Sequence, residues 1–550
     1  MNAPTAPRAS TAPRAVRRTA RKLTVDALIR DAAKQFSGKE AVIDPGERLT
    51  YRRLDTSTLE LAAVLVDAGI GIGTRVSLLM PNSARWVQLS LALTRIGAVL
   101  VPLSTLLKAR ELHAQLATAR VEVLITVEEF RGHRYLDALA EWLDRESLPT
   151  GGERLLEPEL PALRSAWTPD ELFAAAHPVA TEAGESPATR LAPVVDALGA
   201  AVTPADHLVT IFTSGSSGTP KGVNHSHESA LFAVQSGQEA RRVGPDSRLY
   251  LPMPFFWVGG FGAGILSALS AGATLVTEEM PTAESTLNLI VSERITLFRG
   301  WPDQAVSVAA LAAETGADLS SIADGSLPAL LPPELRPAPG TRANIFGMTE
   351  SFGPYCGYRA DLNMPESARG SCGKPFPGIE VRIADKVTGT PLGPGEPGEI
   401  QLRGRRILQG ICGRTREDVF TADGFYPTGD LGQFDDDGFL FYLGRSDDMF
   451  KVSGATVYPS EVQAALRAID GVDAAFVTSV PGPNGPRVGA AVVSTSGVTP
   501  ESLRSSAKNL LSSFKVPSVW LVVPSADEIP RGGTGKVLAN DLRDLLIAAE

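Results

Sequence analysis

One short stretch, residues 211–223, constrains this chain more than any other part of its sequence. Residues 207–212 are mostly apolar or β-branched and predict a buried strand, which runs directly into a loop of hydroxyl residues and glycines that ends at Lys221. Glycine lets backbone N–H groups approach a ligand closely, hydroxyls add donors, and lysine supplies a charge suited to phosphate. Because the run follows a strand and contains the ordered Thr-Pro-Lys-Gly, it predicts a polyphosphate-binding loop rather than a flexible linker.

The spacing of this loop differs from that of the common P-loop, which requires Gly, four residues, and then Gly-Lys-Ser or Gly-Lys-Thr. No segment of the chain has that spacing. The nearest approach, residues 532–536, is too short and is followed by Val537. The loop therefore belongs to another class of phosphate-binding site.

Length and composition predict a globular protein of more than one domain. A chain of 550 residues is too long for one core, and its formal net charge of −10 gives no bulk attraction to nucleic acid or anionic membranes.

Its three cysteines lie far apart without Cys-x-x-Cys spacing, which argues against a disulfide framework or zinc site and favours a reducing, cytoplasmic location. No apolar run reaches the length of a membrane-spanning helix. Residues 1–22 are rich in arginine and proline and lack acids, which predicts a disordered basic tail.

Helical and strand-like patterns alternate along the rest of the chain, which predicts an α/β fold with mainly parallel sheets. Thr24 is the predicted cap of a first helix, residues 75–80 and 121–127 are predicted strands, and residues 86–96 form a predicted helix between them. Residues 447–550 combine helical and strand patterns and predict a small α+β unit.

A second constellation, residues 342–350, ends in Gly-Met-Thr-Glu. Glu350 can act as a hard oxygen ligand for Mg²⁺, Thr349 can donate to a phosphate, and Phe346 can stack on a purine. Further along, the segment Tyr-Pro-Thr-Gly-Asp ends in Asp430. A carboxylate at the end of a strand can accept hydrogen bonds from both hydroxyls of a ribose.

Together these segments resemble the adenylate-forming superfamily, which includes acyl-CoA synthetases, adenylation domains of peptide synthetases and beetle luciferases. The chain is most similar to an acyl-CoA synthetase, and Phe346 stands where the superfamily has the tyrosine of Tyr-Gly-x-Thr-Glu. The resemblance implies that Glu350 holds the metal and that Asp430 and Arg445 hold the ribose. It also implies a larger set of nucleotide-binding residues: Thr213, Ser214, Gly215, Ser216, Ser217, Gly218, Thr219, Lys221, Asn344, Ile345, Phe346, Gly347, Asp430 and Arg445.

The same resemblance divides the chain into three parts. Residues 1–22 are the basic tail, residues 23–446 a large ATP- and acid-binding domain, and residues 447–550 a small C-terminal domain. Asp447 is implied to be the hinge about which the small domain turns.

The catalytic residues implied by the resemblance come from both domains. Lys536, at the end of a glycine-rich loop, would reach the α-phosphate and the carboxylate during adenylation, with Thr349 and Glu350 as its partners in the large domain. Lys451 and Gly454 are implied to serve the later thioester step.

Aromatic residues point to the acid-binding part of the site. Residues 252–264 place aromatics beside glycines, which suits a ligand cavity or ordinary core packing, and Trp257 replaces a histidine that borders the acyl site in many acyl-CoA synthetases. Residues 296–302 are a second candidate; there Arg299 could pair with a polar group of the substrate or face water, and we expect it to face water. The prediction is an apolar acyl or aryl group bound by four residues: Phe255, Trp257, Phe261 and Trp301.

Two histidines after the phosphate loop raise the question of a metal pair. The i, i+2 spacing of His225 and His227 does not place both on one helical face, and no cysteine or third histidine is near. The resemblance gives Ser226 and His227 a structural role instead.

The implied reaction begins with activation of a carboxylic acid by ATP and Mg²⁺, which gives an acyl-adenylate and pyrophosphate. Transfer to a thiol, most simply that of coenzyme A, then releases AMP. Delivery to a carrier-protein thiol or an amine, luciferase-type oxygenation, and a non-catalytic nucleotide-binding role stay open at this stage. Nucleic acid is not an expected partner.

Overall fold

The computed structural model describes residues 23–177, 186–213, 220–446, 450–452, 455–482, 485–511, 513–531 and 537–550. In this part of the chain helices and strands alternate, and the strands form several sheets. The predicted α/β fold is confirmed.

The elements are numbered in chain order. The strands are β1 (Glu40–Ile43), β2 (Arg48–Thr50), β3 (Arg75–Leu79), β4 (Val99–Pro102), β5 (Val123–Thr126), β6 (Ser165–Trp167), β7 (His207–Thr213), β8 (Lys221–Ser226), β9 (Arg248–Tyr250), β10 (Thr274–Val276), β11 (Leu297–Phe298), β12 (Phe346–Met348), β13 (Gly353–Gly357), β14 (Lys374–Pro375), β15 (Ile379–Ala384), β16 (Gly398–Gly404), β17 (Gly410–Ile411), β18 (Tyr426–Phe434), β19 (Leu440–Arg445), β20 (Phe450–Val452), β21 (Ala455–Val457), β22 (Ala474–Val480), β23 (Arg487–Val493) and β24 (Val519–Val523). The helices are α1 (Val25–Phe36), α2 (Tyr51–Asp67), α3 (Ala84–Arg95), α4 (Ala109–Ala119), α5 (Tyr135–Trp142), α6 (Pro169–Ala176), α7 (Pro187–Ala201), α8 (His227–Ser236), α9 (Gln238–Arg241), α10 (Val258–Gly260), α11 (Ser267–Ala271), α12 (Ala283–Ser292), α13 (Pro302–Thr315), α14 (Arg416–Val419), α15 (Pro459–Arg467), α16 (Pro500–Leu510) and α17 (Ala539–Ala548).

Two mainly parallel sheets form the frame of the larger part of the chain. One has the strand order β17-β8-β7-β4-β3-β5-β6 and the other β11-β9-β10-β1-β2. The pairs β3/β4, β3/β5, β9/β10 and β9/β11 are parallel, so the carboxyl ends of neighbouring strands share one edge of each sheet. Ligands of α/β proteins bind outside such edges. The predicted strands β3 and β5 and the predicted helix α3 are confirmed.

The N-terminal helices are joined by a buried charge network. The Thr24 hydroxyl accepts from the Ala27 N–H over 3.4 Å, which confirms the predicted cap of α1. On α3, the fully buried Arg95 guanidinium lies 2.8 Å from Asp26 of α1 and 3.0 Å from Asp55 of α2. Because a buried charge is costly without partners, this network fixes the relative positions of the three helices.

Two antiparallel sheets carry the later sequence motifs. The sheet β12-β13-β14 contains the constellation that ends at Glu350, and the sheet β15-β16-β18-β19 contains Asp430 and Arg445. Thr349 and Glu350 directly follow the end of β12, as predicted, whereas the expectation that Asp430 lies at a strand end is wrong, because β18 continues past it to Phe434.

The chain beyond residue 450 forms separate small sheets with helices. Strands β22, β23 and β24 form one sheet, and Thr499 caps α16 by accepting from the Ser502 N–H over 3.3 Å. The predicted α+β character is confirmed, whereas the boundary between residues 446 and 447 stays a prediction. Within the described ranges, no helix is both long enough and apolar enough to cross a membrane.

Candidate active site

The predicted phosphate loop lies between two strands of a hairpin. β7 and β8 are antiparallel neighbours, and Thr213 at the end of β7 is the direct partner of Lys221 at the start of β8. The predicted phosphate-binding residues between them lie outside the described residues: Ser214, Gly215, Ser216, Ser217, Gly218 and Thr219. The two strands, called here the phosphate hairpin, therefore fix both ends of the loop.

Close packing requires a glycine directly after Lys221. A Cβ on Gly222 would lie 2.9 Å from the Cys412 sulfur, closer than real Cβ atoms approach, and 3.0 Å from a Thr210 methyl group, which is a tight contact. This contact holds β17, which carries the chain into Cys412, against the phosphate hairpin.

The hairpin continues into α8 through three polar residues. The Ser226 hydroxyl accepts from the Ser229 N–H over 3.0 Å and so caps the helix, while His227 accepts from the Val25 N–H over 3.2 Å. These contacts are structural, as the sequence indicated for Ser226 and His227.

His225 joins the phosphate hairpin to the second motif. Its Nε2–H donates to the Thr349 carbonyl oxygen over 2.8 Å, and the Ser229 hydroxyl lies 3.2 Å from its Nδ1. Burial lowers the pKa of His225 to about 3, so the ring is neutral and Nδ1 acts as the acceptor. Its ring also meets Phe352 edge to face, with centroids 5.0 Å apart. The sequence did not predict this role for His225.

A short 3₁₀ turn, Thr349–Ser351, presents Glu350 and is called here the Glu350 turn. Phe352 follows it in the left-handed region, with φ of +51°. Glu350 is buried, and its Oε1 accepts from the Tyr426 hydroxyl over 3.0 Å. Burial, and then the Glu350 carboxylate, raise the pKa of Tyr426, so the phenol stays protonated and donates. The strained backbone and the buried acid mark this turn as a functional candidate.

The segment before the turn, residues 344–348, contains both exposed and packed residues. The predicted nucleotide residues Asn344, Ile345 and Gly347 are exposed, whereas the half-buried Phe346 ring packs 4.7 Å from Tyr442. A Cβ on Gly347 would lie 2.4 Å from the backbone of β13, so only glycine fits there.

Asp430 and Arg445 are direct partners across the β18–β19 pair. The Arg445 guanidinium lies 3.1 Å from the Asp430 carboxylate and donates to the Thr428 carbonyl over 2.9 Å. Gly429 has a φ of +73°, and a Cβ there would lie 2.9 Å from the guanidinium. The turn at Gly429 therefore makes room for the pair that the sequence singled out.

The structure brings the described parts of the three motifs together. The first residue of β18, Tyr426, bonds Glu350, and Asp430 follows four residues later on the same strand. On the neighbouring strand β19, Tyr442 packs on Phe346. Since His225 also bonds the Glu350 turn, the phosphate hairpin, the turn and the Asp430–Arg445 pair form one connected unit.

Other predicted site residues cannot be placed in this unit. Asp447, Gly454 and Lys536 lie outside the described residues, and Lys451 is described only by its backbone on β20. Their hinge, thioester and adenylation roles stay predictions.

Comparison with known proteins identifies the family. Residues 29–412 match the AMP-binding enzyme family. The chain belongs to this family. Over nearly its full length it is similar to two ligases of the same name, 3-[(3aS,4S,7aS)-7a-methyl-1,5-dioxo-octahydro-1H-inden-4-yl]propanoyl:CoA ligase. It is 31% identical to the ligase of Rhodococcus jostii strain RHA1, and the match covers 96% of this chain and 99% of that relative. It is 32% identical to the ligase of Mycobacterium tuberculosis strain H37Rv, and the match covers 95% of this chain and 99% of that relative. The ATP-bound crystal structure of MatB from Rhodopseudomonas palustris shares the fold, with a TM-score of 0.73 and 23% identity over 95% of this chain and 99% of that one.

Family membership confirms the resemblance to adenylate-forming enzymes that the motifs indicated. The two relatives named above are CoA ligases, and this chain is an AMP-binding enzyme. Neither finding tests which residues do the chemistry, and the site residues named above stay predictions.

The four predicted acid-binding residues of this AMP-binding enzyme differ in burial. Phe255 and Phe261 are fully buried and pack on Trp86, with ring centroids 5.4 and 6.0 Å apart. Trp257 is half-buried, and Trp301 is 36% exposed at the start of α13. Phe255 and Phe261 thus take the core-packing alternative with Trp86, while Trp257 and Trp301 are accessible to a ligand.

The expectation that Arg299 faces water is wrong. Its guanidinium donates to the carbonyl oxygens of Gly325 and Arg241, the second over 2.8 Å. The buried carbonyls of Arg241, at the end of α9, and of Gly325, outside the strands, need donors, and the local sequence pattern around Arg299 does not reveal them.

Glu350 fits the metal role that its family implies. Its carboxylate is 9% exposed, one oxygen accepts from Tyr426, and no lysine or arginine of the described chain pairs with it. A buried carboxylate without a cationic partner suits a hard divalent cation such as Mg²⁺. Among the described residues, no cluster of three or more His, Cys, Asp or Glu could hold a metal ion, so Glu350 is a single candidate ligand and not part of a protein-only metal centre in the described ranges.

Proposed function

We propose that this AMP-binding enzyme is an AMP-forming acyl-CoA ligase. It converts a carboxylic acid, ATP and coenzyme A into an acyl-CoA thioester, AMP and pyrophosphate. One observation carries the proposal: hydrogen bonds and ring contacts join the phosphate hairpin, the Glu350 turn and the Asp430–Arg445 pair into one unit. The full-length similarity to named CoA ligases supports coenzyme A as the acceptor.

In the first step, a carboxylate oxygen of the acid attacks the α-phosphorus of ATP, and the bond to the pyrophosphate oxygen breaks. The chain mainly positions the reactants and neutralises charge in such a displacement. The phosphate loop between Thr213 and Lys221 holds the β- and γ-phosphates, and Thr349 donates to a phosphate oxygen. Mg²⁺ bound at Glu350 supplies further charge neutralisation.

The nucleoside is held by the two antiparallel sheets. The buried Asp430 carboxylate accepts from the ribose hydroxyls, and Arg445 both orients that carboxylate and reaches the ribose. The exposed Asn344, Ile345 and Gly347 flank the purine, and Phe346 contributes its ring. The rigid packing of Phe346 on Tyr442 supports this arrangement, because preorganised side chains lose little entropy on binding.

In the second step, the thiol attacks the acyl carbonyl carbon, the thioester forms and AMP leaves. We propose that residues 447–550 turn as a small domain about Asp447 between the steps. Lys536 serves adenylation, and Lys451 and Gly454 serve thioester formation. Rebuilding one site for two steps is an ordinary use of hinge motion.

The acid has a bulky apolar body. Trp257 and Trp301 offer accessible aromatic surface, and the two relatives named above act on an acid with a fused bicyclic body. A carrier-protein thiol is the second candidate acceptor. The proposed location is the cytoplasm, supported by three free cysteines: Cys356, Cys372 and Cys412.

Product analysis tests the proposed reaction. The purified chain is incubated with ATP, Mg²⁺, coenzyme A and a panel of alicyclic, aryl and fatty acids, and AMP, pyrophosphate and thioester are quantified. We expect equal amounts of the three products with at least one acid, and acyl-adenylate when coenzyme A is omitted. AMP without thioester in the complete mixture would favour another acceptor, and no AMP with any acid would contradict the proposal.

A further inference from the structure

Three arginines gather where α8 ends and β11 leads into the candidate acid-binding segment. Arg299 donates to the Arg241 carbonyl over 2.8 Å, so these two residues are in direct contact. The third, Arg406, donates to the Ser236 hydroxyl over 2.9 Å at the last residue of α8. Arg406 is fully buried, Arg241 is 8% exposed and Arg299 is half-buried.

No carboxylate of the described chain forms an ion pair with any of the three guanidiniums. The carboxylates of the adjoining loops pair with other arginines: Asp361 with Arg242 at 3.0 Å, and Asp324 with Arg342 at 3.3 Å. The cluster bonds neutral oxygens instead, among them the Val234 carbonyl, which accepts from Arg241 over 2.8 Å.

The end of α8 offsets only part of this charge. Carbonyls at a helix C-terminus carry the equivalent of about half a negative charge, against three positive charges here. Burial lowers the pKa to about 10 for Arg241 and Arg299 and to about 9 for Arg406, and the Arg299 charge adds to the shift at Arg241. All three stay protonated at neutral pH, so the cluster is an uncompensated positive region. Arg406 also has a buried Nε–H that lacks an acceptor among the described residues.

The backbone of Arg299 lies at the carboxyl edge of the sheet that contains β9 and β11. β11 and β9 are parallel, Phe298 pairs with Tyr250, and the Arg299 N–H donates to the Tyr250 carbonyl over 3.0 Å. Arg299 therefore stands just past the carboxyl edge of the sheet, where α/β proteins bind ligands. Two residues further along lies the exposed Trp301, and β9 leads into the segment that contains Trp257.

We propose that Arg299, held in place by Arg241, binds an oxygen acceptor on the part of the acid remote from its reacting carboxyl group. This inference rests on the proposed function and narrows its substrate class to apolar acids that carry a distant ketone or second carboxylate. A guanidinium has donors and no acceptor, so it recognises such oxygens and not hydroxyl or ammonium donors. The excess positive charge favours the carboxylate, whereas the ring ketones in the names of the two relatives favour the ketone.

A purely structural role for Arg299 makes a different prediction. If the guanidinium only links β11 to α9 and to Gly325, its removal lowers kcat/KM by the same factor for all acids. If it binds a substrate oxygen, its removal changes the ratio between acids with and without that oxygen. This ratio is therefore the quantity to measure.

The test uses three alicyclic propanoic acids of one skeleton: unsubstituted, with a ring ketone, and with a ring carboxylate. The kcat/KM for acid-dependent AMP formation is measured with the full chain, wild type, Arg299→Met and Arg299→Lys. We expect the wild type to prefer one oxygenated acid by about 10- to 100-fold, the factor expected for one hydrogen bond to a charged group. In Arg299→Met the ratio of kcat/KM between the oxygenated and the unsubstituted acid should fall at least tenfold, and Arg299→Lys should keep part of this preference.

Arg242→Met is the matched control, because Arg242 is the adjacent residue and pairs at the surface with Asp361. It should retain the preference of the wild type. Thermal melting verifies that each variant is folded. If Arg299→Met does not fold, the preference of Arg299→Lys is compared with that of the wild type instead. The proposal is overturned if the wild type shows no preference for either oxygenated acid, or if Arg299→Met lowers kcat/KM by the same factor for all three acids. In both cases AMP formation continues, whereas failure of the proposed function would give no AMP with any acid.

Discussion

The Nε2–H of His225 donates a hydrogen bond to the carbonyl oxygen of Thr349 over 2.8 Å, across 124 positions of sequence. Through this bond the strand that follows the phosphate loop fixes the turn that presents Glu350. A neutral, buried ring suits the task, because it adds no charge next to a site for a polyanion and a metal.

Replacement of His225 tests this link. His225→Leu leaves the Thr349 carbonyl without its donor, and an unsatisfied buried carbonyl costs about 1–3 kcal/mol. We expect the free energy of unfolding to fall by that amount in urea titrations, and the KM for ATP to rise more than the KM for coenzyme A. His225→Gln, which retains a donor, should recover part of both. If His225→Leu and His225→Gln changed the KM for ATP and the KM for coenzyme A by the same factor, His225 would not position the Glu350 turn.

The buried His225 and the half-buried His207 predict a loss of stability in mild acid. Burial lowers the pKa of His207 to about 4 and that of His225 to about 3, from an ordinary 6.5. Between pH 6.5 and about 4 the unfolded chain binds more protons than the folded chain, so the free energy of unfolding falls as the pH falls. For the two histidines we expect a loss of about 3–4 kcal/mol between pH 7 and pH 5, measured by urea unfolding.

The control for this pH effect is His225→Gln, which removes one of the two groups. The loss between pH 7 and pH 5 should shrink by about half in this variant. A wild-type stability that is flat over this range would contradict the assignment.

Packing behind the phosphate loop predicts a strict need for Gly222. Gly222→Ala places a methyl group 2.9 Å from the Cys412 sulfur, and overpacking of this kind costs about 1–3 kcal/mol. We expect a lower melting temperature and weaker ATP binding. Gly410→Ala on the neighbouring strand is the matched control, because no atom lies within 4 Å of its added Cβ. Addition of Cys412→Ala to Gly222→Ala should restore part of the stability, and an absence of any recovery would count against this contact.

Asp430 should distinguish ATP from a nucleotide without ribose hydroxyls. Hydrogen bonds to a charged group contribute about 1.5–3 kcal/mol, or roughly 10- to 100-fold in kcat/KM. We expect Asp430→Asn to lose most of its preference for ATP over 2′,3′-dideoxy-ATP. Asp423→Asn, an exposed acid paired with Arg382 on the same sheet, is the control and should retain it. An unchanged preference in Asp430→Asn would remove Asp430 from the ribose site.

Local sequence patterns predicted the elements that depend on short-range chemistry. The Thr24 cap, the buried strand before the phosphate loop and the Thr499 cap are each encoded within a few residues. The resemblance singled out Asp430 and Arg445 as ribose contacts, a role that stays a prediction, and the structure adds that the two residues are direct partners across β18 and β19.

Contacts between distant segments were not predictable in the same way. The bond from Tyr426 to Glu350 spans 76 positions, and nothing in either segment alone points to the other. Arg299 was expected to face water because single charged residues usually do, yet its partners are backbone carbonyls of Gly325 and Arg241. Backbone acceptors leave no mark in the sequence, so such partners become visible only in the fold.

The central claim is that segments far apart in sequence bind one magnesium-complexed ATP. Calorimetric titration of ATP with Mg²⁺ into the wild type, Glu350→Gln, Asp430→Asn and the control Asp423→Asn tests it most directly. We predict saturable binding by the wild type and the control, and affinities at least about tenfold weaker for Glu350→Gln and Asp430→Asn, the loss expected for one charged contact. No binding by the wild type, or wild-type affinity in both Glu350→Gln and Asp430→Asn, would contradict the claim.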